Sequence, residues 1–199
     1  MRTTRIEPDF PRLLQDFFCE HMVAARNLSA QTVSSYRDTF LLLLQFTRER
    51  TGIPPCKLTL PDLDADLVLA FLDYLEKKRG SSVRTRNTRL AAIRSFMRYA
   101  AGRVPPSLGV VQSVLAIPSK RFDRPAVELL SRQEAQAIIN APNTQTWSGR
   151  RDRCMFTMLY NTGARVSEIA SLKVGDVVLD HSPSDHLHGK GRKERSMPL

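Results

Sequence analysis

Met158-Leu159-Tyr160-Asn161-Thr162-Gly163-Ala164-Arg165-Val166-Ser167-Glu168-Ile169 joins two helical patterns across one glycine. Before it, Met155, Met158 and Leu159 recur at helical spacing, and glycine after such a run is the usual left-handed stop, so a helix is expected from about Gly149 to Asn161. A shorter helix should carry Arg165 to Leu172. Arg165 then stands at a helix start, where unpaired N–H groups and a guanidinium both favour an anion, and the turn reads as a phosphate pocket. The competing reading is an ion pair between Arg165 and Glu168 at i,i+3.

Downstream, Val177-Val178-Leu179 gives way to the polar turn His181 to Asp185, then His186-Leu187-His188, then Gly189-Lys190-Gly191-Arg192-Lys193-Glu194, then Arg195 to Leu199. This predicts strand, turn, strand, turn, strand, with a basic hairpin tip whose glycines suit a positive φ. The tip does not have the spacing of the G-x-x-x-x-G-K-[ST] phosphate loop. Upstream, Ser131-Arg132-Gln133-Glu134 has the form of a capping box and should open a short helix that fades by Pro142.

Further back, Ile117 to Pro125 has two prolines, four charges and no apolar period, which predicts a linker over residues 116–128 between domains of residues 1–115 and 129–199. The first domain reads as a helical bundle. Its elements are a stretch around Phe10 to Ala25, a helix from Ser29 to Thr51, one from about Asp62 to Lys78 stopped by Gly80, and one from Ser82 to Gly102. That last helix has Leu90, Ile93, Met97 and Ala100 as its buried face. It also carries Arg84, Arg86, Arg89, Arg94 and Arg98, followed by Arg103, with no acid from Gly80 to Arg103. At about 100° per residue, Arg84, Arg94 and Arg98 fall within roughly 80° of one another beside the apolar face. A solvated helix face normally mixes in glutamates for ion pairs, whereas unopposed guanidiniums suit phosphates and guanine edges.

Composition agrees with that direction. The 199 residues hold 30 Lys plus Arg against 20 Asp plus Glu, a formal charge of +10 that attracts polyanions. Hydrophobic residues at 42% and charged residues at 25% are those of a globular chain with a core. Cys19, Cys56 and Cys154 are odd in number and lack paired spacing, which argues against a disulfide framework or a zinc site and for a reducing cytoplasm. The sequence shows no export signal, and its longest apolar cluster, Leu41 to Leu44, is far below the ~20 residues of a membrane span.

Leu159-Tyr160-x-Thr162-Gly163-x-Arg165-Val166-Ser167-Glu168, followed after the strands by Gly189-Lys190-Gly191-x-Lys193-Glu194-Arg195, closely resembles the tyrosine recombinases, including the Xer-like and phage-integrase types. The resemblance covers nearly the whole chain. It implies a mainly α protein: an N-terminal SAM-like helical core-binding domain, then an incomplete α+β catalytic domain. It also implies DNA binding, DNA integration and site-specific recombination, in a bacterial protein tied to mobile elements or chromosome handling. By the resemblance, Arg165 holds the scissile phosphate, Lys190 protonates the leaving 5′-oxygen, and Glu168 supports them. Fixed cations aimed at developing phosphate charge need no metal, and a tyrosine nucleophile conserves bond energy as a phosphotyrosine, so no cofactor is expected.

The family pattern goes on with a His-x-x-Arg pair, a further His or Trp and the tyrosine, none of which follows the hairpin here. Tyr36, Tyr74, Tyr99 and Tyr160 all precede Arg165 and sit on or near apolar helix faces, so each is expected to pack in a core. Enzyme activity by this chain alone is therefore open, and strand cleavage is not expected. A half-built second domain should leave apolar surface and a strand edge uncovered. The partner is double-stranded DNA, joined either by a full-length recombinase or by further copies assembled on DNA, and no membrane. The alternative is a non-enzymatic DNA-binding regulator of an intact recombinase. A metal-dependent nuclease using Asp180, Asp185, His186 and His188 is the reading from another class, because alternate strand residues share a face.

Overall fold

A computed structural model describes residues 9–123, 126–181, 183–189 and 193–198. The chain divides into two compact units, Met1–Arg124 and Pro125–Leu199.

In the first unit four helices start on a polar side chain that takes up a backbone N–H left without an intrahelical partner. Asp9 accepts from Arg12 at the head of α1 (Phe10–Asp16). Ser29 accepts from Thr32 before α2 (Ala30–Thr51), Asp64 from Leu67 before α3 (Ala65–Lys77), and Ser82 from Thr85 before α4 (Val83–Ala101). The expected start of α3 at Asp62 is early, because Leu60–Asp62 forms a 3₁₀ turn of its own, closed by the Thr59 N–H on the Asp62 carboxylate at 2.7 Å. α1 runs into a π-helix over Phe17–Ala25, where the Arg26 N–H reaches back to the His21 carbonyl at 3.0 Å. That wider turn lets neighbours Phe17 and Phe18 both meet Phe40, at ring distances of 6.3 and 5.8 Å.

A fifth helix, α5 (Leu108–Ala116), follows Pro105-Pro106 and was not expected. It is short and carries a glycine, so its local signal is weak, and packing of Val111 and Val114 into the core holds it in place. Phe10, Phe17, Phe40, Phe71, Leu75, Leu90, Ile93, Phe96 and Met97 form the centre of that core. Each large side chain so buried contributes about 1.5–3 kcal/mol. The beginning of the expected linker belongs to this unit. Ile117 is buried, and the Asn87 side-chain amide donates to the Lys120 carbonyl at 2.7 Å while accepting the Lys120 N–H at 3.1 Å.

In the second unit the capping box at Ser131 forms in both directions, with Ser131 Oγ accepting the Glu134 N–H at 3.2 Å and the Glu134 carboxylate accepting the Ser131 N–H at 2.8 Å. It opens α6 (Arg132–Asn140). Thr146 caps α7 (Trp147–Thr162), which begins two residues before the expected Gly149. Gly149 fits there because a Cβ would lie 1.8 Å from the Asn143 carbonyl oxygen. Gly163, at φ 59°, is the left-handed stop, and α8 covers only Val166–Ala170. Strands β1 (Val177–Val178), β2 (Ser184–Gly189) and β3 (Lys193–Pro198) form an antiparallel sheet in chain order. The second expected turn is shorter than read, since Lys193 and Glu194 pair with Gly189 and His188. Among the described residues of this unit, the buried apolar side chains are Ile139, Ile169 and Leu187.

Candidate functional site

The turn before Arg165 is held at three points. The Gly163 N–H reaches the Leu159 carbonyl at 3.0 Å, the Thr162 hydroxyl donates to the Met158 carbonyl at 2.6 Å, and the same hydroxyl accepts the Ala164 N–H at 3.2 Å. Arg165 thus leaves the end of α7 in an extended conformation (φ −76°, ψ 149°). Of the two readings of this turn, the ion pair is the one seen directly. The ion pair forms, with Arg165 Nη1 2.6 Å from Glu168 Oε1 and the Arg165 N–H donating to Oε2 at 2.8 Å. Yet the guanidinium stays 64% exposed while the Glu168 side chain is 3% exposed. α8, with five residues, is too short for a helix dipole to matter, so the positive charge at this turn is that of the guanidinium itself.

A second arginine reaches the same carboxylate. Arg195 on β3 places Nη2 3.0 Å from Glu168 Oε2. Its strand partner is Leu187, which is fully buried, and paired residues of an antiparallel ladder project from the same face. The carboxyl of Glu168 is held below the ordinary glutamate range first by the Arg165 N–H, then by the Arg165 guanidinium, with the charge of Arg195 adding to both against a cost of burial. Lys190 lies outside the described residues. Gly189 and Lys193, the nearest described residues on either side of it in the sequence, are paired across β2 and β3.

The basic helix α4 sorts its arginines into different environments. Arg84 and Arg98 are exposed, and Arg94 and Arg89 are half-buried. Arg89 lines a polar cleft of about 280 Å³ between α2 and α4 with Ser34, Asp38, Thr85 and Thr88. Burial lowers its pKa, with the nearby charge of Arg79 acting the same way and Asp38 opposing them. Burial also lowers that of Arg94, followed by repulsion from Arg98 and Arg86. Arg86 does not join the exposed row. Its side chain is 4% exposed, with Nε 3.7 Å from Glu76 and Nη1 donating to Asn87 at 3.1 Å.

His21 and Arg26 carried no signal in the sequence, and they join arginines of the α4 end. Arg26, Arg98 and Arg103 border a second cleft of about 370 Å³ with His21 and Tyr99, and the Arg103 guanidinium lies 3.7 Å from the Tyr99 ring centroid. The His21 pKa is lowered by burial first, then by Arg26 and Arg103. Tyr36, Tyr74 and Tyr99 pack in or against the first core as expected, but Tyr160 is 52% exposed. It is more open than its α7 neighbours Met158 and Leu159, which are half-buried. Of the residues read for metal chemistry, His186 Nδ1 lies 2.8 Å from Ser196 Oγ on an exposed strand face, and no group of three or more His, Cys, Asp or Glu among the described residues is placed to hold an ion. Among the described residues no helix is long and apolar enough to cross a membrane.

Two family descriptions match the chain: "Phage integrase, N-terminal SAM-like domain" over residues 16–103 and "Phage integrase family" over residues 128–199. An integrase/recombinase of Sinorhizobium fredii, y4rD, is 45% identical over 188 residues, which cover 94% of this chain and 67% of that protein. Tyrosine recombinase XerC of Roseiflexus castenholzii is 33% identical across 92% of this chain and 55% of its own length. The chain belongs to the tyrosine recombinase family. A second S. fredii relative, y4rC, is 48% identical over 94% of this tyrosine recombinase chain and 56% of its own length. The chain therefore spans somewhat more than half the length of the curated relatives it matches. Among solved structures, the XerH site-specific recombinase bound to its palindromic difH substrate superposes with a TM-score of 0.63 at 20% identity, over 88% of this chain and 50% of XerH. At that identity the likeness concerns the fold alone: a helical N-terminal domain and the first part of an α+β domain.

Proposed function

We propose that this chain is the DNA-engaging portion of a site-specific recombinase of the integrase type, binding duplex DNA through α4 and holding a backbone phosphate with Arg165. The observation that carries the reading is the exposed Arg165 guanidinium braced on a buried carboxylate within the Thr162-Gly163-x-Arg165 turn. A guanidinium fixed in this way meets negative charge on phosphate oxygens without having to be ordered at the moment of reaction. Lys190, by the family resemblance, supplies a proton to the leaving 5′-oxygen, and the target is DNA in a bacterial cytoplasm. The part proposed for these residues is to hold DNA and its scissile phosphate, and the attack itself belongs to the tyrosine that the family resemblance implies.

The test measures binding of the 199-residue polypeptide to a DNA duplex across a salt series, beside a search for a covalent protein–DNA species. The logarithm of affinity should fall with log salt at a slope near −0.9 per neutralised phosphate, with several phosphates engaged. Arg165→Ala should weaken binding, and no covalent species should form. A flat salt response, or binding indifferent to Arg165→Ala, would refute the reading. A second reading, control of an intact recombinase, is distinguished by adding the polypeptide to a full-length relative and following recombination.

A further inference from the structure

Arg195 closes the Gly-Lys-Gly-x-Lys-Glu-Arg motif, yet the resemblance gives it no role. Its surroundings supply one. Glu168 is buried, and three donors converge on its two oxygens: Arg165 Nη1 at 2.6 Å, the Arg165 N–H at 2.8 Å and Arg195 Nη2 at 3.0 Å. Both guanidiniums remain substantially open, 64% for Arg165 and 43% for Arg195. A single arginine on one carboxylate would form a neutral pair whose fork is turned toward its partner. Two arginines sharing that carboxylate leave one net positive charge facing solvent. They also repel one another across it, a repulsion that an incoming anion relieves.

The structure assigns Arg195 the part of a positioning residue: by occupying Oε2 of Glu168 from β3, it limits what the carboxylate can take from Arg165 and keeps the Arg165 fork presented to an anion. Leu187, buried opposite Arg195 in the ladder, fixes the direction from which the side chain approaches. The inference rests on the reading of Arg165 as a phosphate-holding residue, and it adds a residue 27 positions from Glu168 in the chain.

Two readouts on the full 199-residue chain test it. In the first, carboxyl carbons labelled in glutamate are titrated by NMR, with Glu168 assigned by its loss in Glu168→Gln. In Arg195→Ala the Glu168 titration should move up in pH, and in Arg195→Lys it should move by less, since an ammonium restores charge without the fork. A role confined to packing the hairpin would leave the titration where it is. In the second, binding to a fluorescein-labelled mixed-sequence duplex is measured for Arg165→Ala, Arg195→Ala and the double variant. Arg195→Ala should cost about tenfold in affinity, and the double variant should bind no more weakly than Arg165→Ala. An unchanged Glu168 titration, or losses that multiply in the double variant, would overturn the assignment. If Arg195→Ala fails to fold, Arg195→Lys decides the matter by the same two criteria. If Arg165→Ala binds like the parent chain, the phosphate reading fails while the titration still shows whether Arg195 acts through Glu168.

Discussion

Glu168 is the residue on which the candidate site turns, because it is an acid among cations and is buried where they are exposed. Its pKa lies below the ordinary glutamate value, held there mainly by the Arg165 N–H and guanidinium. The folded state therefore binds this proton less readily than the unfolded chain, so stability rises with pH through this interval. The contribution is fully present above the ordinary glutamate pKa and is lost as acidification passes the lowered folded value. Amide exchange at Arg165, whose N–H bonds the carboxylate, should consequently speed up on acidification beyond its intrinsic pH dependence. Glu168→Gln should remove that acid-induced step, since the amide does not titrate. It should also weaken duplex binding at neutral pH by releasing both guanidiniums from their shared anchor. An acid step that persists in Glu168→Gln would place its origin at another group.

At the scale of elements, α4 divides one kind of residue between two jobs. Arg86 faces Glu76 with almost no solvent contact, whereas Arg98 is exposed beside a cleft bordered by Arg26 and Arg103. Arg86→Ala leaves the half-buried Glu76 with Lys120 as its remaining partner and opens a hole against the core, which should cost about 1–3 kcal/mol and lower the thermal midpoint. The salt slope of DNA binding should stay as it was. Arg98→Ala should do the reverse, reducing the slope by about one phosphate contact with little change in melting. Thermal melts and salt titrations of the two variants separate these roles, and a slope reduced by Arg86→Ala would return that residue to the DNA face.

The division was legible on α4 itself. At about 100° per residue Arg86 falls within roughly 20° of the centre of the Leu90, Ile93 and Met97 face, while Arg84 and Arg98 fall well outside it. Counting arginines on the helix hid what their angles disclose. Caps were readable for a similar reason: Ser29, Ser82, Ser131 and Gly163 act on backbone groups within a few residues, so their signal is local. α5 was missed because Val111 and Val114 are helical by virtue of the core they enter. In the candidate site the Arg165–Glu168 pair was visible at i,i+3, while Arg195 was not, because its approach depends on a strand register that brings it beside Leu187.

Over the whole chain, the two units differ in what holds them. The first buries a connected set of phenylalanines and aliphatic residues, with Phe17, Phe40 and Phe96 in edge contact at 5.3 to 6.3 Å. In the second, the described buried apolar residues are Ile139, Ile169 and Leu187, while Leu129, Val174 and Leu179 are 91%, 95% and 77% exposed. Apolar burial is the main favourable term in folding, and regions with few buried contacts open at lower free energy than the global transition. Hydrogen exchange of the 199-residue chain should therefore show α2, α3 and α4 protected to the limit set by unfolding of the first unit. Amides of α6, α7 and the sheet should exchange earlier, through opening of the second unit alone. In denaturant, the sheet signals should be lost before the aromatic signals of the first core, which gives two transitions in place of one. Coincident transitions with uniform protection would mean that the second unit draws stability from contacts other than its own buried side chains.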